Sequence, residues 1–189
     1  LLVIGAGAGG LSVAAGAAQL GIKVVLLEGD KMGGDCLNYG CVPSKALIAF
    51  SNQQKPKQFN DAMGFVRDAI KEIEPHDSEE RFRSLGVNVI REYGQFVNET
   101  TVAAGAYEIQ PRRIVIATGV HTPVPDISGL LDVQYYTNQT IFDLTKKPEH
   151  LLVLGGGPVG VELAQAFARL GVNVTIFEKR KLLSNFSRE

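Results

Sequence analysis

Net charge and cysteine are what this sequence has least of. Its 19 Lys and Arg against 20 Asp and Glu leave a formal charge of −1. That excludes the basic footprint expected of a nucleic-acid or anionic-membrane binder. Two cysteines in 189 residues are too few for a secreted disulfide framework. A reducing, cytoplasmic location is therefore the expectation, and there a cysteine pair usually means chemistry or metal. Histidine is scarce too. His76, His121 and His150 fall in loops or at element edges, and no pair has metal-ligand spacing, so we read all three as solvated. The remaining composition, 45% hydrophobic and 21% charged, is that of an ordinary globular protein with room for one or two domains.

Charge is missing altogether from residues 1–22. Such a run superficially suggests a membrane span or a signal sequence. No basic segment precedes it, however, and Gly5, Gly7, Gly9, Gly10, Gly16 and Gly21 punctuate it. The same pattern recurs late in the chain, where no signal peptide could sit. The membrane reading is therefore set aside. The chain starts without Met inside an apolar run and ends shortly after a strand, so we expect a piece of a longer polypeptide.

An internal repeat organises what is there. LLVIGAGAGGLSVAAGAAQLGIKVVLLE (residues 1–28) returns as LLVLGGGPVGVELAQAFARLGVNVTIFE (residues 151–178), offset by 150 throughout. Gly5, Gly7 and Gly10 map onto Gly155, Gly157 and Gly160, and Glu28 maps onto Glu178. Each copy predicts a strand, a glycine turn, a helix and a second strand. The strands are residues 1–4 and 151–154, then 23–27 and 173–177. The helices are residues 12–20 and 162–170, closed by Gly21 and Gly171. In this βαβ setting G-x-G-x-x-G is a dinucleotide fingerprint. The first glycine allows the tight turn, the second lets backbone approach a pyrophosphate, and the third lets helix pack on strand. Helix N–H groups then face the phosphates, and a terminal carboxylate reaches ribose hydroxyls.

The middle of the chain is less specific. Residues 60–73 predict an amphipathic helix ending before Pro75. Asp77 or Ser78 would cap a short helix through Leu85, closed by Gly86. Residues 87–90 read as a strand, residues 95–109 as a small β-meander turning at Gly105, and the polar stretch 55–58 as a loop. Ile114–Ile116 reads as a buried strand followed by the small-residue turn Ala117, Thr118 and Gly119, at the sheet edge where ligands lie in open α/β folds.

Both cysteines lie in GGDCLNYGCVPSKAL, residues 33–47. On a regular helix, residues five apart are roughly 8.6 Å apart at Cα, whereas a disulfide needs less than about 7 Å. Cys36 and Cys41 can meet only if the segment bends, which Asn38, Tyr39 and Gly40 suit. Pro43 then restarts a helix containing Lys45 and Leu47. A metal clip would have two ligands where zinc wants four. A structural disulfide over so short a loop gains little closure entropy and would open in a reducing compartment. The remaining reading is a redox-active pair, with a helix N-terminus beside Cys41 favouring its thiolate.

G-G-x-C-L-N-x-G-C-x-P-S-K resembles the active-site signature of the class I pyridine nucleotide–disulfide oxidoreductases, such as dihydrolipoyl dehydrogenase, glutathione reductase and mercuric reductase. The resemblance spans nearly the whole chain. It implies an α/β architecture: a Rossmann-like FAD-binding domain over residues 1–149, then the first βαβ unit of a Rossmann-like NAD(P)-binding domain over residues 150–189. The C-terminal interface domain would lie outside the chain. Gly5, Ala6, Gly7, Ala8, Gly9, Gly10 and Glu28 would hold FAD, with Gly34, Asp35, Gly94 and the Ala117–Thr118–Gly119 turn. Gly155, Gly157, Pro158, Val159, Gly160 and Glu178 would hold the nicotinamide dinucleotide. Glu178 favours NAD, because a carboxylate repels a 2′-phosphate, although Lys179 and Arg180 follow it.

The resemblance also implies roles. Cys36 would exchange with a disulfide or dithiol substrate, and Cys41 would lie against the flavin. Lys45 would sit near the flavin, paired with Glu162. The full-length enzyme would be a homodimer; the near-zero net charge already sets the expectation of no nucleic-acid or membrane partner. Asp35 stands where the family commonly has threonine, and the span from Cys41 to Ala117 is short, so a helical segment after Ile48 would be trimmed. The family's His–Glu acid/base pair comes from the interface domain, so the 189-residue chain alone is expected to be inactive. A flavin-dependent oxidase or transhydrogenase with idle cysteines, and a non-catalytic FAD-binding module, are the alternative functions.

Overall fold

The apolar segments of the first repeat associate side by side. In the computed structural model, which describes residues 1–54 and 58–184, the strands are β1 (Leu2–Ile4), β2 (Val25–Leu27), β3 (Asn88–Ile90), β4 (Gln95–Phe96), β5 (Val102–Ala104), β6 (Tyr107–Ile109), β7 (Ile114–Ile116), β8 (His150–Leu154) and β9 (Asn173–Phe177). The helices are α1 (Ala8–Gln19), α2 (Gly34–Asn38), α3 (Cys41–Ser51), α4 (Phe59–Ile73), α5 (Glu79–Ser84) and α6 (Pro158–Arg169). One parallel sheet has the order β3-β2-β1-β7. The chain leaves β1 toward β2 on one side, while β7 joins on the other. Between β1 and β7 is the switch point where such sheets open a crevice at their C-terminal ends.

Alternation along the strands sorts the core into layers. Val3, Leu26 and Val89 face Leu11, Ala14 and Phe82 on the helical side. Leu2, Ile4 and Leu27 face Val102 and Ala104 of the antiparallel β4-β5-β6 meander on the other. A third cluster gathers α3, α4, α6 and the 3-10 turn Ile141–Asp143 around Phe167, Phe59, Met63 and Leu47. It ties the second repeat to the helices that follow the cysteines. In that repeat β8 and β9 pair in parallel, with Leu152, Leu154 and Phe177 exposed on one face.

The structure corrects several boundaries. α1 starts at Ala8 rather than at residue 12, and α6 at Pro158 rather than 162. Gly9 and Gly10, like Val159 and Gly160, belong to the first helical turn. β2 starts at Val25 rather than at residue 23. Ser78 is the cap: its hydroxyl accepts from the Arg81 N–H at 3.2 Å. α3 runs past Ile48 to Ser51. Of the loop expected at 55–58, residues 55–57 lie outside the described residues, and Gln58 is the extended residue that precedes α4. No helix among the described residues is long and apolar enough to cross a membrane.

Phe167 is fully buried and lies against Phe59, with ring centroids 6.1 Å apart. Phe167→Ala is expected to cost about 3–5 kcal/mol, read as a lower urea midpoint. A loss below about 1 kcal/mol would mean that this cluster does not hold the second repeat to the helices that follow the cysteines.

Candidate functional site

Each glycine turn forms a bare cradle. Gly7 precedes α1 and Gly157 precedes α6 as the capping residue, and neither can offer a side-chain cap. A Cβ on Gly10 would overlap the Gly5 carbonyl, and one on Gly160 the Gly155 carbonyl, so both close approaches require glycine. Above Gly9 and Gly157, by contrast, a Cβ would meet nothing within 4 Å. Uncapped helix N–H groups facing open space fit a pyrophosphate. The acid after each second strand is built in the same way. Glu28 accepts from the N–H of Ala6 at 2.6 Å and of Asp30 at 2.8 Å. Glu178 accepts from Gly156 at 2.7 Å and Arg180 at 2.9 Å. These N–H donors, Gly156 first, hold the Glu178 carboxyl below its ordinary value.

The first cradle touches the cysteine segment directly. Gly33 N–H donates to the Ala6 carbonyl at 2.9 Å, and Gly33 bridges Gly7 in parallel. Gly34 has φ of +55°, and a Cβ there would lie 2.7 Å from the Gly7 Cα. Only glycine fits. α2 carries Cys36 and ends at Tyr39, whose N–H donates to the Asp35 carbonyl at 2.8 Å. Gly40, at φ −124° and ψ −108°, breaks the path, and Cys41 opens α3. The bend expected at residues 38–40 is thus two helices meeting at Tyr39 and Gly40. Asn38 secures it by donating to the carbonyls of Met32 (3.0 Å) and Gly34 (2.9 Å).

Both cysteines are free thiols, Cys36 half-buried and Cys41 exposed. Burial, then the neighbouring Cys41 thiol, pushes the Cys36 thiol up to about 11. Asp77, in the 3-10 turn Glu74–Asp77, adds to the same effect.

Lys45 Nζ lies 2.9 Å from Glu162 Oε2, across 117 residues of sequence. Glu162 comes from the first turns of α6 and Lys45 from α3, which pack together. The Lys45 and Glu162 side chains are 62% and 42% exposed, so the pair contributes little stability. The Glu162 hydrogen bond, above all, holds the Lys45 ammonium above its ordinary value, and the charge of Cys41 acts in the same direction. β7 is not the buried strand expected: it is the edge strand of the sheet, half-buried with Ile116 exposed. Thr118 and Gly119 are exposed beyond it, after Ala117, whose N–H donates to the Ile4 carbonyl at 2.8 Å. Gly94 packs under Leu27 and Val102, where a Cβ would lie 2.8 Å from the Leu27 Cδ1. His76, His121 and His150 are exposed, and His150 Nε2 lies 2.9 Å from Thr175 Oγ1.

Sequence reasoning missed two contacts. Lys31 Nζ sits over the Tyr39 ring, 5.0 Å from its centroid. Tyr93 packs on Gly29, directly after Glu28. Neither carries a motif signal; each shows only as an aromatic residue near a functional glycine.

Two βαβ cradles flanking a close thiol pair define a dinucleotide-dependent thiol–disulfide fold. The family model described as pyridine nucleotide-disulphide oxidoreductase matches residues 1–189, and the chain belongs to that family. It is 34% identical to a mercuric reductase of Bacillus cereus, covering 100% of this chain and 32% of that protein. It is 34% identical to a dihydrolipoyl dehydrogenase of Haloferax volcanii, covering 94% of this chain and 42% of that protein. Among solved structures, the Cu(II) complex of the HOCl-induced flavoprotein disulfide reductase RclA from Escherichia coli superposes with a TM-score of 0.89 at 31% identity. That match covers 99% of this chain and 44% of RclA. The chain thus spans less than half the length of these relatives.

Two outcomes test this geometry. Gly34→Ala forces a side chain into Gly7 at positive φ, and is expected to destabilise the fold by about 2 kcal/mol or more; an unchanged thermal midpoint would dissolve the contact. The second is a pH effect. The folded chain holds the Cys36 proton more tightly than the unfolded chain, from an ordinary 9.0 to about 11. Its stabilising effect is complete below about pH 9 and is lost as the pH rises toward 11. Denaturation across that window should show falling stability, flattened in Cys36→Ser.

Proposed function

We propose that this chain carries the nucleotide cradles and the redox pair of an FAD-dependent disulfide reductase or dithiol dehydrogenase, most like dihydrolipoyl dehydrogenase or a mercuric-reductase-like enzyme. The observation that carries the reading is the backbone lock of Gly33 and Gly34 onto Ala6 and Gly7, which sets the thiol-bearing segment against a dinucleotide cradle. FAD would lie on Gly5, Gly7, Gly9, Gly10 and Glu28, with Gly34, Asp35, Gly94 and the Ala117–Thr118–Gly119 turn around it. NAD would lie on Gly155, Gly157, Pro158, Val159, Gly160 and Glu178. Glu178, held ionised by its backbone donors, supports NAD over NADP, since a 2′-phosphate would meet its charge.

The chain's own groups then divide the work. The Cys36 thiolate attacks a substrate disulfide, releasing one substrate thiol and leaving a mixed disulfide on Cys36. Cys41 attacks the Cys36 sulfur, releases the second substrate thiol and closes the Cys36–Cys41 bond. The two electrons lost by the cysteines appear in the two substrate thiols. Reopening the bond takes an electron pair, the chemistry that FAD held at residues 5–10 and Glu28 would supply with NADH as its donor. Lys45 keeps its charge through Glu162 and stabilises negative charge at Cys41. Cys36 retains its proton near neutral pH, so its activation calls for a base near the substrate; the family's interface domain would supply that base. A cytoplasmic homodimer acting on a small-molecule or protein-bound disulfide fits this chemistry.

Anaerobic NADH titration of the FAD-loaded protein tests the reading. A long-wavelength absorbance band from a thiolate beside the flavin is expected, absent in Cys41→Ser and weakened in Lys45→Met. Bleaching of the flavin without that band would favour an oxidase or transhydrogenase with idle cysteines.

A further inference from the structure

Tyr39 caps the C-terminal end of α2 and lies between Cys36 and Cys41 in sequence. Lys31 Nζ stands 5.0 Å from the ring centroid. The Tyr39 hydroxyl is the first cause holding the Lys31 ammonium above its ordinary value, with Asp30 and Asp143 acting in the same direction. Lys31 opens the loop that leads into Gly33 and α2. The contact therefore joins the two ends of residues 31–39, and the Asn38 bonds to Met32 and Gly34 run alongside it.

We propose that Lys31 and Tyr39 are positioning residues: they clamp the bend that carries Cys36 and Cys41, and so set how readily the two thiols join. An intramolecular disulfide forms in proportion to the effective concentration of one thiol at the other. A bend closed by a side-chain contact keeps that concentration high while the thiols are free. Opening it spreads the reduced form over more conformations and shifts the equilibrium toward the dithiol. The reaction read is balanced: Cys36 and Cys41 thiols plus glutathione disulfide give the internal disulfide plus two glutathione thiols.

The inference rests on Cys36–Cys41 being a redox pair, and the test separates the two. The full chain is equilibrated in glutathione buffers of graded ratio, acid-quenched, and its thiols counted by mass after maleimide labelling. Lys31→Met and Tyr39→Leu are each expected to lower the disulfide-forming constant about two- to fivefold, the range of one exposed cation–π contact. The double variant should fall no further than the larger single, because both remove the same contact. Thermal midpoints are measured in parallel; a midpoint that drops while the constant stays unchanged marks a merely structural role and overturns the proposal. Additive effects overturn it as well. If the unsubstituted chain forms no internal disulfide at any ratio, the redox-pair reading falls and the clamp with it. If it forms one that Lys31→Met leaves unchanged, only the clamp falls.

Discussion

The backbone contact of Gly34 with Gly7 is the constraint on which the site depends. Two chain segments meet there without side chains between them, and each holds a specialised turn. One carries the first dinucleotide cradle and the other leads into the two thiols. Because the approach is Cα to Cα, neither segment can shift without moving the other. The parallel sheet places the cradle, the cradle places α2, and α2 places Cys36.

The second tether works differently. Lys45 and Glu162 join α3 to the first turns of α6 by a half-exposed ion pair, which stabilises little. Burial does the holding, through the cluster around Phe167 that α3, α4 and α6 share. The ion pair is thus not needed to hold the helices that carry it, because packing already fixes them.

Patterns with a fixed period or spacing were legible in the sequence. The repeat at an offset of 150 marked both cradles. The strand at residues 114–116, though not its expected burial, the meander, a cap at Asp77 or Ser78 and a bend at residues 38–40 all followed from local chemistry. The resemblance paired Lys45 with Glu162, which geometry then joined. What stayed hidden were contacts between residues with no shared period: Gly34 on Gly7, Tyr93 on Gly29, Lys31 over Tyr39. Helix starts were misplaced for a related reason. Gly9 and Gly10 are weak helix formers, and they enter α1 because the sheet and the motif hold them there rather than by propensity.

Glu28 and Glu178 show one consequence of folding the same motif twice. In each, both carboxylate oxygens are already engaged by backbone N–H groups of the neighbouring turn. The side chain's rotamer freedom, worth up to about 2 kcal/mol for a glutamate, is surrendered when the chain folds. The acid and its glycine loop therefore behave as a single preorganised part, and under the proposed function a sugar would meet a receptor with no ordering left to do.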